Sequence, residues 1–531
     1  MPLHQPCGVK HWLELYGSCT FQKRYSLGKQ HRCSAAMASL VYRSGLFSDT
    51  LRTTMSRRSA PIAEKLADLI GQQIANGIYQ PGDKLPSLRE LAQLHRYAKN
   101  TVVSAFDLLV SRGLVEPRRG SGFYVSPQLR KAKAVDEDNG QLVRAMDTVW
   151  LAREQLIRQP EVAAVGDGFP PIEWLADMRM DRYHQKVVRT GLGSLFRYGN
   201  RFGYAPLRDS LVRKLGVLGL PVTQSQLVLT QGANDALDLV IRYFVPPGAT
   251  VLVDEPGYYL LFGKLKLAGA RVIGVPRLAD GPDLAALESI LVTERPRLFF
   301  TQSLAHNPTG SDLSLHKAYR LLQLAEKHNL LFVEDDPFAD FKPTSAVRLS
   351  MLDQLERTIY IGSFSKSFSA ALRVGYVACS AALASDLADL RTLIHVSGSE
   401  YCERMVDVML REGRYERHLV KLRQKLGAAT AQAQQWLDEQ GCTVFARSAQ
   451  TLYLWVRFPG VEDSLEWAQA LLAHGVKMAP GRIFHLDSAA PSPWSRCNVA
   501  AMLDPRFQTA VKSQLALRKN AQGKGLPNNP A

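Results

Sequence analysis

The sequence predicts two folded units of different class: a small helical unit closed by a β-wing, and a large α/β unit built on a mainly parallel sheet. Three observations carry this. Residues 60–113 hold three apolar stripes at helical spacing and are followed by two short strand patterns. From about residue 165 to 515, strand-like and helix-like segments alternate, the pattern of a parallel sheet covered on both faces. Between them "KAKAVDEDNG", 131–140, is polar and charged and reads as a linker.

In the small unit, Ile62, Leu66, Ile70 and Ile74 form one stripe that stops at Gly77. A turn follows at Pro81-Gly82, then Ser87 and Glu90 in the S-x-x-E spacing of a capping box that opens a second helix. "AKNTVVSAFDLLVSRG" makes a third helix with Val102, Ala105, Phe106 and Leu109 inward, ended by Gly113. "LVEPRRGSGFYV" then reads as two strands joined by Gly120-Ser121-Gly122. Helix, helix-turn-helix and wing make a winged helix-turn-helix over residues 56–128. In such a unit the second helix of the motif enters the major groove by its N-terminal residues. Here these are Lys99, Asn100 and Thr101, with Ser104 one turn on. Lys and Asn match guanine and adenine edges, and Thr a phosphate or a thymine methyl. Arg89, Arg118, Arg119 and the wing glycine Gly120 are placed to meet the backbone of double-stranded DNA.

Charge agrees with this. The net charge is +16, and residues 1–55 and 56–130 each contribute +5, so over half of the excess sits in the first quarter of the chain. Apolar content of 46% and charged content of 21% are those of a globular chain. No apolar run is long enough to span a bilayer, which argues against a membrane protein. The seven cysteines lack C-x-x-C spacing and point to reduced thiols in a cytoplasm. His4, Cys7, His11, Cys19, His31 and Cys33 fit no metal template, so no metal site is expected. Residues 1–55 show little periodicity and read as a disordered extension or a misassigned start, with "MSRRSAP" beginning at Met55. Residues 129–164 read as linker and connecting helix, 165–515 as the large unit, and 516–531 as a loose tail.

In "SFSKSFSAALRVGY", 363–376, one lysine stands among small hydroxyls, seven residues ahead of an arginine. A lysine in water is almost wholly ammonium, but burial or a neighbouring cation favours the neutral amine, which condenses with an aldehyde. Pyridoxal phosphate supplies such an aldehyde, together with a phosphate, a ring nitrogen and a flat ring that a protein must satisfy. Ser363, Ser365 and Arg373 flank Lys366 as S-x-S-K-x6-R, two hydroxyls and a guanidinium for a dianion. Gly232, Ala233 and Asn234 start a helix after a strand, where free N–H groups attract phosphate. Asp335 ends "LLFVEDD" and suits the ring nitrogen, Asn307 in "AHNPTG" the ring hydroxyl, and Tyr258 in "DEPGY" the ring face. Taken singly, each of these residues has a bland reading as a turn, cap or solvated side chain; their joint order does not.

Two resemblances follow from these residues. The segment from "IANGIYQPGDKLPSLRELA" to "RRGSGFYV" resembles the GntR family of bacterial regulators over about seventy residues, with P-G-x-x-L-P-S-x-R and the G-S-G wing intact. "YAKNTV" departs from it, since family members more often carry Val-Ser before the basic residue. Gly232–Asn234, Tyr258, Asn307, Asp335, Lys366 and Arg373, in that order, resemble the class I, fold type I aminotransferases, whose fold carries a small C-terminal α/β subdomain. That resemblance implies Lys366 as the Schiff-base lysine, Asp335 as the ring-nitrogen partner, and Arg496 in "WSRCNVA" as the ligand of a substrate α-carboxylate. Phe338 stands where the family has a tyrosine and Ala370 where it has a proline, which weakens the case for efficient transamination. A GntR-type reader fused to such a unit resembles the MocR regulators. The resemblance implies a cytoplasmic, bacterial homodimer that binds operator DNA and senses an amine, an amino acid or pyridoxal phosphate. The alternative is an active aminotransferase with an auxiliary DNA-binding domain.

Overall fold

The computed structural model describes residues 62–75, 79, 81–94, 97–118, 121–126, 162–189 and 196–523. The expectations for residues 1–55, the linker and its connecting helix, and the six N-terminal Cys and His residues lie outside this set. The chain divides into two compact units, with the boundary between Val135 and Asp136.

In the first unit the helix Ile62–Ala75 buries Leu66, Ala67 and Ile70, with Ile74 packed against the same core. The helix Leu88–Leu94 opens with the reciprocal pair that S-x-x-E spacing demands: Glu90 N donates to Ser87 Oγ at 3.3 Å, and Ser87 N to Glu90 Oε2 at 2.7 Å. Ser87→Ala therefore removes one cap and is expected to lower the melting midpoint of this unit by a few degrees, read by calorimetry. The helix Lys99–Ser111 turns Val102, Ala105, Phe106 and Leu109 inward. It ends because Gly113 adopts φ +69°, letting Leu114 N reach back to Leu109 O at 3.0 Å. Strands β1, Val115–Arg118, and β2, Gly122–Val125, pair antiparallel as the wing.

The second unit is built on an eight-stranded sheet in the order β3-β10-β9-β8-β7-β4-β5-β6. Its strands are β3 Leu227–Thr230, β4 Thr250–Glu255, β5 Arg271–Leu278, β6 Gly281–Pro282, β7 Leu298–Thr301, β8 Leu331–Asp336, β9 Thr358–Ser363 and β10 Gly375–Ala378. From β9 through β8, β7 and β4 to β5 all neighbours are parallel, whereas β10 runs antiparallel to both β3 and β9. The runs "LVLT", "LFFT" and "TIYIGS" are buried at every position, as strands covered on both faces require. Because β3, β7, β8 and β9 share a direction, Thr230, Thr301, Asp335 and Ser363 all arrive at one edge of the sheet. That carboxyl edge is where α/β folds bind ligands.

A second, antiparallel sheet of four strands follows in the order β11-β12-β14-β13: β11 Thr443–Val444, β12 Tyr453–Arg457, β13 Ala479–Pro480 and β14 Trp494–Asn498. It matches the expected C-terminal subdomain. One expectation is corrected. The last helix runs Pro505–Gly523, past the boundary set for a loose tail at residue 516. Phe507, Ala510, Val511 and Leu515 bury one face and carry the helix on, while the polar residues beyond Leu515 hide its continuation from a periodicity reading. Among the described residues no helix is long and apolar enough to cross a membrane.

Candidate cofactor site and DNA-reading face

A cavity of about 320 Å³ opens at the carboxyl edge of the large sheet. Lys366, Asp335, Ser363, Ser365, Arg373, Ala233, Asn234, Tyr258, Asn307, Phe338 and Arg496 all line it. The chain thus gathers ten of the predicted cofactor and carboxylate residues around one space, and Gly232 lies directly behind Arg373.

The phosphate end is the most constrained. Gly232 caps the helix Ala233–Phe244 with φ +81°, and a Cβ there would lie 2.7 Å from Arg373 Nη2. Arg373 itself takes φ +51° and donates from Nη2 to Gln231 O at 2.8 Å. Gly375 approaches so closely that its Cβ would meet Gly232 C at 2.7 Å. Ser365 N donates to Ser363 Oγ at 3.2 Å, while Ser365 Oγ is buried with no partner of its own. Two hydroxyls, a guanidinium and a helix N-terminus therefore converge on one corner.

At the other end, Gln302 Nε2 donates to Asp335 Oδ2 at 2.9 Å and Gln302 Oε1 accepts from Asn307 N at 2.8 Å. Asp335 Oδ1 is buried without a partner, as a carboxylate waiting for a ring N–H would be. Burial pushes the Asp335 carboxyl up to about 7, against the Gln302 hydrogen bond. Arg496 Nη1 donates to Asn307 Oδ1 at 2.9 Å, which leaves the amide NH₂ of Asn307 as the donor for a ring oxygen. Tyr258 stands at the start of the helix Tyr259–Leu267 with its ring toward the cavity.

Lys366 Nζ donates to Gly168 O at 2.9 Å and sits 3.5 Å from the centroid of the Phe169 ring. Burial first, then the charge of Arg496, pushes its amine down to about 7. The neutral nucleophile therefore exists near neutral pH. The sign runs as for any depressed lysine: below about 7 the ammonium forms and cannot attack, and between there and its ordinary range the folded chain holds one proton fewer than the unfolded one. Covalent capture of pyridoxal phosphate is expected to accelerate about tenfold per pH unit below that point and level off above it, followed by rapid-mixing absorbance. A rate that keeps climbing into the ordinary lysine range would remove the depressed amine from the account.

Arg496 is 2% exposed and fully enclosed, its guanidinium 4.5 Å above the Tyr453 ring and 4.9 Å above the Phe484 ring. Nη2 donates to Gly166 O at 2.7 Å and Nε has no partner. Both of these hydrogen bonds go to neutral oxygens, while the Asp167 carboxylate acts on the neighbouring Lys366, Tyr259 and Tyr453. Phe338 is buried edge-on to Tyr453, with centroids 5.4 Å apart, so no phenol stands at that position; the phenol that reaches the lysine's acceptor belongs to Tyr453, whose OH donates to Gly168 O at 2.8 Å.

Sequence reasoning missed Gln302, Tyr453 and the Gly168-Phe169 step. Gln302 had a signal, a polar side chain directly after the buried "LFFT". Gly168 had none, because its contribution is a backbone carbonyl that any residue could supply.

In the first unit Lys99, Asn100 and Ser104 are exposed and Thr101 half-buried on the first turns of the helix Lys99–Ser111. Arg89 and Arg118 are exposed, and Arg118 is held 4.2 Å above the Tyr124 ring. Arg119 and Gly120 lie outside the described residues.

The family described as aminotransferase class I and II matches residues 175–513. The chain belongs to that family. Its first unit, residues 62–125, matches the bacterial regulatory proteins of the gntR family. This aminotransferase-family chain is 28% identical over 460 residues to the HTH-type transcriptional regulator YdcR of Escherichia coli, covering 85% of this chain and 97% of the relative. It is 26% identical over 347 residues to the regulator NorG of Staphylococcus aureus, covering 64% and 78%. Among solved structures, the α-aminoadipate aminotransferase LysN of Thermus thermophilus, complexed with N-(5'-phosphopyridoxyl)-L-leucine, superposes with a TM-score of 0.63 at 26% identity over 69% of this chain and 95% of LysN. A kynurenine aminotransferase of Pyrococcus horikoshii shares the fold, with a TM-score of 0.66 at 20% identity over 73% and 99%. The cofactor of the aminotransferase family, pyridoxal phosphate, fits this cavity: the unpartnered Asp335 Oδ1 and Ser365 Oγ, the glycine approach beneath Arg373 and the neutral-poised Lys366 each meet one of its groups.

Proposed function

We propose that this chain is a transcription regulator that reads operator DNA through its winged helix and senses an amine or amino acid at a pyridoxal phosphate site. The observation that carries the sensing half is Arg496, a buried cation whose hydrogen bonds go to neutral oxygens, in the same cavity as a lysine held near neutrality. Bound pyridoxal phosphate supplies an aldehyde for covalent bonding to amines and an electron-withdrawing ring. Ser363, Ser365, Arg373 and the helix start at Ala233 and Asn234 bind its phosphate. Asp335 holds a proton on the ring nitrogen, and that positive neighbour in turn favours the carboxylate. Asn307 donates to the ring hydroxyl, Tyr258 covers the ring, Lys366 provides the neutral amine, and Arg496 receives the carboxylate of an incoming amino acid. In the reader, Lys99, Asn100, Thr101 and Ser104 face base edges, and Arg89, Arg118, Arg119 and Gly120 meet phosphates.

A homodimer suits this reading. Phe196, Tyr198 and Leu393 are 81%, 82% and 86% exposed. Gly199 N donates to Ser397 Oγ at 3.3 Å, which brings the loop of Phe196 and Tyr198 beside the end of the helix Ala381–His395 that carries Leu393.

The complete donor set also supports the alternative, an active aminotransferase with an auxiliary reader, whereas Phe338 favours the sensor. Titration of amines while following cofactor absorbance and duplex binding together separates the two. A sensor changes duplex affinity as absorbance shifts and turns over slowly; rapid multiple turnover across several amino donors supports the enzyme. Asn100→Ala is expected to weaken sequence-specific binding by 1–3 kcal/mol, an order-of-magnitude figure of about tenfold or more, with cofactor absorbance unchanged. Loss of both together would point to unfolding.

A further inference from the structure

Gln302 directly follows β7 and is buried, and its side-chain amide spans two of the residues assigned to the cofactor ring. Nε2 donates to Asp335 Oδ2 at 2.9 Å, and Oε1 accepts from Asn307 N at 2.8 Å. The amide cannot be turned round. A backbone N–H only donates and a carboxylate only accepts, so reversal would set donor against donor and acceptor against acceptor. The backbone of Gln302 is fixed as well: its N donates to Asp254 Oδ2 at 3.3 Å, and that oxygen also takes Thr301 Oγ1 at 2.7 Å and Arg277 Nη1 at 3.1 Å. Among the described residues no other side chain donates a hydrogen bond to Asp335, and Gln302 meets Oδ2, leaving Oδ1 without a partner.

The groups facing Asp335 pull in opposite directions. Burial favours the protonated carboxyl most strongly, Gln302 opposes it, Asp336 adds to it and Lys366 opposes it. Asp336 is itself paired with Arg348 at 2.8 Å. Asp254, Tyr258 and His306 share a space of about 20 Å³ with Gln302 and Asp335. Asp254 is paired with Arg277, and burial favours the neutral imidazole of His306 and the neutral phenol of Tyr258.

Resting on the reading above, we infer that Gln302 is a positioning residue that decides on which side of the hydrogen bond between Asp335 and the cofactor's ring nitrogen the proton sits. The step is a proton shift alone: N–H···O becomes N···H–O, and no other bond forms or breaks. By donating to Oδ2, Gln302 favours the carboxylate, and the proton stays on the ring nitrogen. Through Oε1 the same amide sets the backbone of Asn307, so one side chain places the partners of both the ring nitrogen and the ring hydroxyl. Without the amide a carboxyl this deeply buried takes the proton back, and the neutral ring withdraws electrons less strongly.

The test uses the full chain loaded with pyridoxal phosphate that carries a heavy-nitrogen label in its ring, whose NMR shift separates protonated from neutral nitrogen. Gln302→Met, similar in length but without an amide, is expected to raise the ratio of neutral to protonated ring about tenfold near neutral pH, the effect of one hydrogen bond to a charged group. Visible absorbance is expected to persist, since Lys366 and the phosphate ligands are untouched. Gln302→Glu is expected to restore the wild-type shift in mildly acidic buffer, where two facing carboxyls share a proton and the added one donates in place of the amide. In an Asp335→Asn background Gln302→Met is expected to move the signal no further. Melting is recorded for each variant, and Gln302→Asn, too short to span both partners, takes the place of Gln302→Met should that chain not fold. A ring signal unchanged by Gln302→Met, no return with Gln302→Glu, or an equal movement in the Asp335→Asn background each overturns the role of Gln302 and leaves the cofactor site standing. Absorbance with a neutral ring in the wild type overturns the Asp335 assignment, and absence of any absorbance overturns the site itself.

Discussion

Lys366→Ala is expected to leave the purified protein unable to hold pyridoxal phosphate covalently, with complete loss of the visible absorbance that this bond gives the wild type. The cavity retains Arg373, Ser363, Ser365 and the helix start at Ala233, so phosphate and ring still bind weakly and reversibly. Mass spectrometry after hydride reduction separates the two situations: the wild type gains one fixed cofactor at residue 366, the variant none. Stability is expected not to fall. A lysine amine pushed down to about 7 marks a side chain whose charge the folded state disfavours, so truncation relieves the fold at neutral pH while abolishing the chemistry. A coloured Lys366→Ala protein with the cofactor still fixed after reduction would reassign the nucleophile.

The largest stability effect is expected from Asp340, which is hydrogen-bonded to Ser367, the residue after the lysine. Its carboxylate lies 2.5 Å from Lys214 Nζ, the two side chains being 7% and 9% exposed, and it accepts hydrogen bonds from Ser367 Oγ at 3.1 Å and from Tyr415 OH. Although burial opposes both charges, Lys214 and the hydrogen bonds hold the Asp340 carboxyl below its usual range, and Asp340 in turn raises the Lys214 ammonium. Asp340→Ala strands that ammonium in the interior and is expected to cost about 3–5 kcal/mol in denaturant unfolding of the large unit. A depressed carboxyl contributes stability that is present above the unfolded carboxylate pKa and fades as pH falls through the folded one, so the variant and wild type should converge in acid. Replacing both partners, as in Lys214→Met with Asp340→Leu, is expected to recover most of the loss, because no uncompensated charge remains. Equal destabilisation of the double and single variants would show that the hydroxyl partners, not the ion pair, carry the effect.

The parts of this molecule that were legible in its sequence are those where chemistry demands a residue type at a set interval. Ser87 and Glu90 could be read because a capping box needs an oxygen and a carboxylate three apart, and the structure shows both bonds. Ser363, Ser365, Lys366 and Arg373 could be read because a dianion and an aldehyde ask for hydroxyls, a guanidinium and an amine together; the cavity contains all four. What remained hidden belongs to distant contacts. Gly168 reaches Lys366 from nearly two hundred residues upstream through a peptide carbonyl, Tyr453 approaches the same oxygen from the second sheet, and Asp340 meets Lys214 across the fold. None of these has a local spacing. The last helix was cut short at residue 516 because its polar end carries no apolar stripe, although four buried residues in its first three turns hold it in place.

The order of strands in the large sheet has a bearing on how the molecule is born. β3 lies against β10, and Arg496 arrives on β14, the last of the described strands. The reader's core, by contrast, closes among residues lying between Ala63 and Val125. During synthesis the reader's core can therefore close before the cofactor cavity gains the wall that carries Arg496.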